Sequence, residues 1–200
     1  MTSKIGSIVL AAGSSSRLGR SKQLLRVNEE TLLRKSVGAA YGCTGAHTVV
    51  VLGCEPEVHQ RAISDLPVKE VVNNDWKNGI GSSIKTGLKH LLTESPDIDA
   101  AIIMVCDQPL VSEDYLHRLI QEFESTEMKI IASTYASTVG VPALFYKSLF
   151  DLILKLEDAH GAKSIIESNY SLVKTVQFPE GAFDIDTEGD VEAFKRLKGV

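Results

Sequence analysis

The 200-residue sequence has few cysteines, no excess of positive charge and no long apolar run, and each shortage removes a class of function. Cys43, Cys54 and Cys106 are too few and too widely spaced for a disulfide framework or a tetrahedral zinc site. They read as small hydrophobes in a reducing compartment. A formal net charge of -5 argues against a nucleic-acid partner, because phosphate backbones are held by clustered Lys and Arg in excess. No stretch approaches the roughly 18 apolar residues of a membrane span, and the apolar run within MTSKIGSIVLAAGSSS is far shorter than a signal-peptide core. A cytoplasmic protein without a membrane partner is expected. Repeats, low-complexity tracts and linkers are lacking too. With 44% of the side chains hydrophobic, residues 1–200 are expected to fold as a single domain around one core.

What the sequence does contain is a regular succession of short Val- and Ile-rich runs. Those at Ser7–Leu10, Thr48–Leu52, Val68–Val72, Ala100–Val105, Lys129–Ala132, Pro142–Phe145 and Leu172–Val176 predict strands, and the runs without alternation predict strands buried on both faces. Helical patterns lie between them, at Thr31–Tyr41, Glu55–Ser64, Ser82–Leu92, Ser112–Phe123, Lys147–Leu156, Ala162–Glu167 and Glu188–Leu197. Thr187 followed by Asp190 resembles a capping box opening the last of these. Alternating strands and helices imply a doubly wound, mostly parallel α/β sheet of Rossmann-like type. Ligands then bind beyond the carboxyl ends of the strands, in the loops that follow them.

The first such loop is Ala11-Ala12-Gly13-Ser14-Ser15-Ser16-Arg17-Leu18-Gly19-Arg20-Ser21-Lys22. Small residues permit close backbone approach, and their N–H groups can form a nest for anions. Arg17, Arg20 and Lys22 add positive charge where the chain has none in excess. Five residues, not four, separate Gly13 from Gly19, and Lys22 stands three beyond, so the loop is not a Walker P-loop. No GxGxxG follows the strand, which excludes the dinucleotide fingerprint. Composition alone leaves two readings open, a phosphate-binding loop or an ordinary strand-to-helix connection with solvated bases.

The segment LAAGSSSRLGRSK resembles the signature LAAG-x-S-x-R-[ML]-G-x-x-K of the MobA-like NTP transferases, and more closely that of the molybdenum cofactor cytidylyltransferases. The resemblance extends along the chain through four further motifs in order. They are Trp76–Ser83 (W-x-x-G-x-x-x-S), Cys106-Asp107-Gln108-Pro109 (C-D-Q-P), Gly140–Phe145 (G-x-P-x-L-F) and Asp184-Ile185-Asp186-Thr187 (D-I-D-T). It implies that Leu10, Ala11, Ala12 and Gly13 bind the nucleotide, with the backbone around Ala12 and Gly13 against the base. Arg17 and Lys22, an exposed loop lysine on this reading, would reach the triphosphate and stabilise departing pyrophosphate. The implied reaction is magnesium-dependent transfer of CMP from CTP to a molybdopterin-type acceptor. A molybdenum hydroxylase is the implied transient partner.

Asp107 follows an apolar run, so it stands at the carboxyl end of a central strand. A carboxylate there can hold magnesium, or cap the turn before Pro109. Alternation points Asp184 and Asp186 to the same side of an extended segment. The resemblance selects Asp186 as the second metal ligand, with helix capping beside Thr187 as the other reading. Gly79, Ser82 and Ser83 stand at a helix start, where hydroxyls and N–H groups suit an acceptor phosphate or the base, or simply cap the helix. His160 is a further candidate acceptor contact. Two departures, Val141 after Gly140 and Ala159-His160-Gly161-Ala162-Lys163 in place of D-x-G-A-R, put the acceptor's identity in question. A sugar phosphate, an alcohol phosphate or a non-catalytic carrier role stays open. His47, His59, His90 and His117 show no ligand spacing.

Overall fold

The computed structural model describes residues 3–16, 18–27 and 30–198. In chain order the elements are β1 (Ile5–Ala11), β2 (Arg26–Val27), β3 (Glu30–Thr31), α1 (Leu32–Thr44), β4 (Thr48–Leu52), α2 (Pro56–Ile63), β5 (Lys69–Val72) and α3 (Ile80–Glu94). There follow β6 (Ala100–Val105), α4 (Glu113–Glu124), β7 (Ile130–Tyr135), β8 (Thr138–Tyr146), α5 (Phe150–Leu154), α6 (Ala162–Ser168), β9 (Val173–Gln177) and α7 (Glu188–Lys198). Seven strands form one sheet in the order β5-β4-β1-β6-β8-β7-β9. Only β8 is antiparallel to its neighbours, β6 and β7, among the described residues. The other pairings in this sheet are parallel, and β2 and β3 form a separate antiparallel pair. The expected doubly wound, mostly parallel sheet is therefore the fold observed.

The period of two in a strand divides the apolar side chains between two cores. Val9 and Ala11 of β1, Val50 and Leu52 of β4, and Ile102 and Met104 of β6 face one way, against Leu33 and Val37 of α1 and Leu116 and Leu119 of α4. Ile8 and Leu10, Val49 and Val51, and Ala101 and Ile103 face the other, against Ile84, Leu88 and Leu91 of α3 and Ile153 of α5. Burying each large aliphatic side chain contributes about 1.5–3 kcal/mol, which explains the apolar runs Ile8–Ala11 in β1, Val49–Leu52 in β4 and Ala100–Val105 in β6. Helix starts follow local chemistry. Thr31 Oγ1 accepts from Arg34 N at 3.2 Å, and Ser112 Oγ from Tyr115 N at 3.2 Å, capping α1 and α4.

Two segments differ from the sequence reading. The runs at Lys129–Ala132 and Pro142–Phe145 are parts of a longer hairpin, closed by Ala136 and Ser137 with φ of 47° and 61°. Such positive-φ pairs make a two-residue turn matching strand twist. The pattern over Lys147–Leu156 yields a single 3-10 turn at Lys147–Leu149 before the short α5. No helix among the described residues is long and apolar enough to cross a membrane.

Candidate active site

Neighbours β4 and β6 flank β1, and the chain leaves β1 first toward one and later returns on the other side. The carboxyl ends of β1 and β6 thus border the switch-point crevice where such sheets take ligands. Cys106 N donates to Leu10 O at 3.2 Å, so Asp107 emerges beside the loop that follows β1. The chain's end returns to this crevice. Ile185 N donates to Asp107 O at 3.0 Å, while Ile185, Val191 and Phe194 bury against Leu18, Leu25 and Leu32 in a third apolar cluster. These contacts bring together Asp107 and Asp186, 79 positions apart.

Both carboxylates meet Lys22. Its Nζ donates to Asp107 Oδ2 at 2.6 Å and to Asp186 Oδ1 at 2.9 Å. The lysine side chain is only 15% exposed, so the expectation of an exposed loop lysine is corrected: loop and α7 segment close over it from either side. Burial acts to lower the Lys22 pKa, but the charge and hydrogen bond of Asp107 and the hydrogen bond of Asp186 outweigh it and raise the pKa above the usual lysine value. Asp184 sits beside the pair. Partial removal from water, then the charges of Asp107 and Asp186, push its carboxyl up to about 6, although an exposed edge tempers the first cause. The capping reading of Asp186 does not describe its side chain. Thr187 and Asp190 form the capping box, with Thr187 N donating to Asp190 Oδ2 at 2.7 Å and Asp190 N to Thr187 Oγ1 at 3.3 Å. The Asp186 carboxylate is turned to Lys22 instead.

The two aspartate oxygens lie within 2.9 Å of one nitrogen and are therefore less than twice that distance apart. The Lys22 ammonium stands where a cation shared by both carboxylates would sit. A hard divalent ion, which takes oxygen ligands at about 2.1 Å and uses one or two carboxylates, matches this donor set. Among the described residues no larger cluster of metal-ligating side chains occurs.

A cavity of about 370 Å³ opens over the pair, lined by Leu10, Ala11, Ala12, Gly13, Lys22, Asp107 and Asp186, together with Trp76, Gly79 and Ser83. Arg17 lies outside the described residues. Arg20 is tied to Glu188 at 2.9 Å and does not line the cavity. The loop's shape rests on residues not foreseen from the sequence. Gln23 is buried and its Nε2 donates to Ala11 O at 3.2 Å and Gly13 O at 2.7 Å. Cys54 N donates to Ala12 O at 3.0 Å. Gly53 permits this approach, since a Cβ there would lie 2.7 Å from Ala12 O and 2.8 Å from Trp76 Cβ. A glycine directly ending the buried run Thr48–Leu52 was the available sign.

On the acceptor side the candidates separate. Ser82 is committed to the protein, its one hydroxyl proton shared between Gly79 O at 2.8 Å and Asp75 O at 3.0 Å while its oxygen accepts from Asn73 Nδ2 at 2.8 Å. Ser83 also accepts from Asn73 Nδ2, at 3.0 Å, but lines the cavity with Gly79. Gly79 and Gly81 allow the 157–160 loop to pack on α3, with Gly81 N donating to Asp158 O at 2.9 Å. His160 is exposed, pairs with Glu157 at 3.3 Å and lines neither cavity described here. A second cavity, about 320 Å³, adjoins the first through Leu10, Ile80 and Val105. Its walls are largely apolar, with Val139, Val141, Ile84 and Ile103, and Lys163 donates to Thr138 Oγ1 at 2.8 Å at its edge.

Residues 7–175 match the MobA-like NTP transferase domain. The chain belongs to that family. A molybdenum cofactor guanylyltransferase of Syntrophotalea carbinolica is 25% identical over 163 residues, 80% of this chain and 70% of its own length. A nicotine blue oxidoreductase of Paenarthrobacter nicotinovorans is 33% identical over 115 residues, 56% of this chain and 54% of its own. Among solved structures, Rv0371c from Mycobacterium tuberculosis H37Rv has a TM-score of 0.82 at 25% identity over 100% of both chains. A second structure of Rv0371c, in complex with manganese, has a TM-score of 0.74 at 23% identity over 97% of this chain and 98% of that one.

Proposed function

We propose that this MobA-like protein transfers CMP from CTP to a molybdopterin-type acceptor and releases pyrophosphate. The observation that carries the reading is the meeting of Lys22, Asp107 and Asp186 beyond β1 and β6, one cation bridging two carboxylates at the mouth of the cavity. Transfer between two phosphorylated partners demands neutralisation and alignment more than covalent chemistry. In this role Lys22 turns from the carboxylates to the triphosphate and balances the charge that develops on departing pyrophosphate. Asp107 and Asp186 would hold magnesium, which when bound would supply Lewis-acid neutralisation of phosphate charge. Manganese in the Rv0371c complex is in keeping with a divalent ion in this fold. The acceptor's terminal phosphate attacks in line, with no covalent enzyme intermediate.

Base preference rests on Ala12, which is buried at the cavity wall and fixed through Cys54 N and the close approach of Gly53. A methyl group held against the base narrows the space for a purine, an effect of about 1–3 kcal/mol, so CTP is favoured over GTP. The relative named a guanylyltransferase makes this the sharper test. The apolar walls of the second cavity, Val141 among them, favour as a second reading the same transfer to a different phosphorylated acceptor. Melting curves with CTP, GTP, ATP and UTP in the presence of magnesium test the nucleotide assignment, because a ligand of the native state raises the Tm. CTP is expected to give the largest rise. No shift with any nucleotide contradicts the reading.

A further inference from the structure

We propose that His59, a buried histidine of α2, is a positioning residue for the nucleotide loop, acting on it through Ser21 and Gln23. The inference rests on the NTP reading of the cavity and concerns what holds its wall in place. His59 is 1% exposed, and its Nε2 lies 2.7 Å from Ser21 Oγ. The direction of that bond follows from the rest of the chain of contacts. Gln23 Nε2 donates to two carbonyls, Ala11 O and Gly13 O, so the Gln23 amide has one possible orientation and Oε1 is its acceptor end. Ser21 Oγ donates its single proton to Gln23 Oε1 at 2.9 Å, and Ser15 Oγ donates to the same oxygen at 3.0 Å. With that proton on Gln23, the Nε2–H tautomer of His59 donates to Ser21 Oγ.

His59 Nδ1 is a buried nitrogen with no hydrogen-bond partner. A bare buried acceptor is a cost, about 1–3 kcal/mol. An apolar side chain would fill the same space without that cost but would lose the 2.7 Å contact with Ser21 Oγ, so the polar contact is what the imidazole adds here. Its effect reaches the cavity by two routes. Ser21 directly precedes Lys22, whose backbone N donates to Ser15 Oγ at 3.0 Å within the same network. Gln23, held by Ser21 and Ser15, turns the carbonyls of Ala11 and Gly13 toward itself. In planar trans peptides the N–H groups of Ala12 and Ser14 then point the opposite way, away from the Gln23 amide, which orients the small-residue loop as an anion nest.

The test uses the tryptophan fluorescence of Trp76, the single tryptophan of the chain and part of the cavity wall. Titration with MgCTP and MgGTP compares the parent with His59→Leu, which fills the space without a donor, and His59→Gln, which keeps a donor. His59→Leu is expected to weaken nucleotide binding by roughly tenfold, the scale of one hydrogen bond, and His59→Gln to recover most of the loss, a rescue that a space-filling role would not give. Ser21→Ala breaks the chain outside the core and is expected to weaken binding similarly if His59→Leu fails to fold. Unchanged binding in Ser21→Ala, or in a folded His59→Leu, overturns the inference while leaving the NTP reading intact. A parent that binds neither nucleotide overturns both.

Discussion

Lys22→Met removes the ammonium between Asp107 and Asp186 while keeping much of the side chain's length. The exposures of the three side chains, 15%, 23% and 32%, place the pairing between surface and interior. Surface pairs contribute up to about 1 kcal/mol, and breaking buried ones costs about 3–5 kcal/mol, so a loss of about 2 kcal/mol is expected in the presence of EDTA. For a chain of this size that lowers the Tm by roughly 4–8 °C. Magnesium should then act differently on the two proteins. In the variant the two carboxylates lack their ammonium and are open to the ion, and an ion at about 100 times its Kd adds about 2.7 kcal/mol. In the parent the ion must first displace Lys22, so its effect is smaller. Thermal melts in EDTA and in saturating magnesium read both effects. A variant as stable as the parent in EDTA refutes the energetic argument. A magnesium shift no larger in the variant than in the parent refutes the assignment of Asp107 and Asp186 as ligands.

Gly53→Ala forces a Cβ to within 3 Å of Ala12 and Trp76. It should lower stability by about 1–3 kcal/mol, seen by urea titration, and reduce turnover by a larger factor than Leu88→Ala does at equal residual stability. Burial lowers the His59 pKa, against smaller opposing effects of Glu55 and the Cys54 backbone, so the fold keeps the ring neutral while the unfolded chain protonates it near pH 6.5. The resulting stability is present above that pH and lost as pH falls below it, by up to about 1.4 kcal/mol per unit for one group. Between about pH 7.5 and 5.5 the Tm of His59→Gln should therefore fall less than that of the parent. Asp190→Ala removes the acceptor for Thr187 and should cost about 1 kcal/mol in a chemical melt; no loss would mean that α7 is held by Val191 and Phe194 alone.

How far these residues could be foreseen depended on whether their signal was local. The unbroken run Ala100–Val105 announced a strand buried on both faces, since only a central parallel strand needs apolar residues at every position. The antiparallel β8 had no such mark. Its turn, Ala136-Ser137, adopts positive φ without the Gly or Asn that usually signals it. Motif resemblance singled out Lys22, Asp107 and Asp186 and paired the two carboxylates as metal ligands, but not the pairing of Lys22 with both, which spans 85 and 164 positions and depends on α7 folding back onto Leu18, Leu25 and Leu32. His59 looked like a lone histidine because its partners lie 38 residues away in a loop of serines. Ser82 was overread for the opposite reason: a hydroxyl before a helix carries the same local signal whether it meets a ligand or, as here, Asp75 and Gly79.

Pyrophosphate release from MgCTP and MgGTP with molybdopterin, in the parent and in Asp107→Asn, tests CMP transfer at the Asp107 site. The parent is expected to release pyrophosphate in step with acceptor consumed, faster from CTP than from GTP. Asp107→Asn, which keeps the shape of the side chain and removes its charge, is expected to lose at least about 100-fold in turnover while still quenching Trp76 fluorescence on nucleotide binding. No acceptor-dependent pyrophosphate from the parent, or equal turnover by Asp107→Asn, would contradict it.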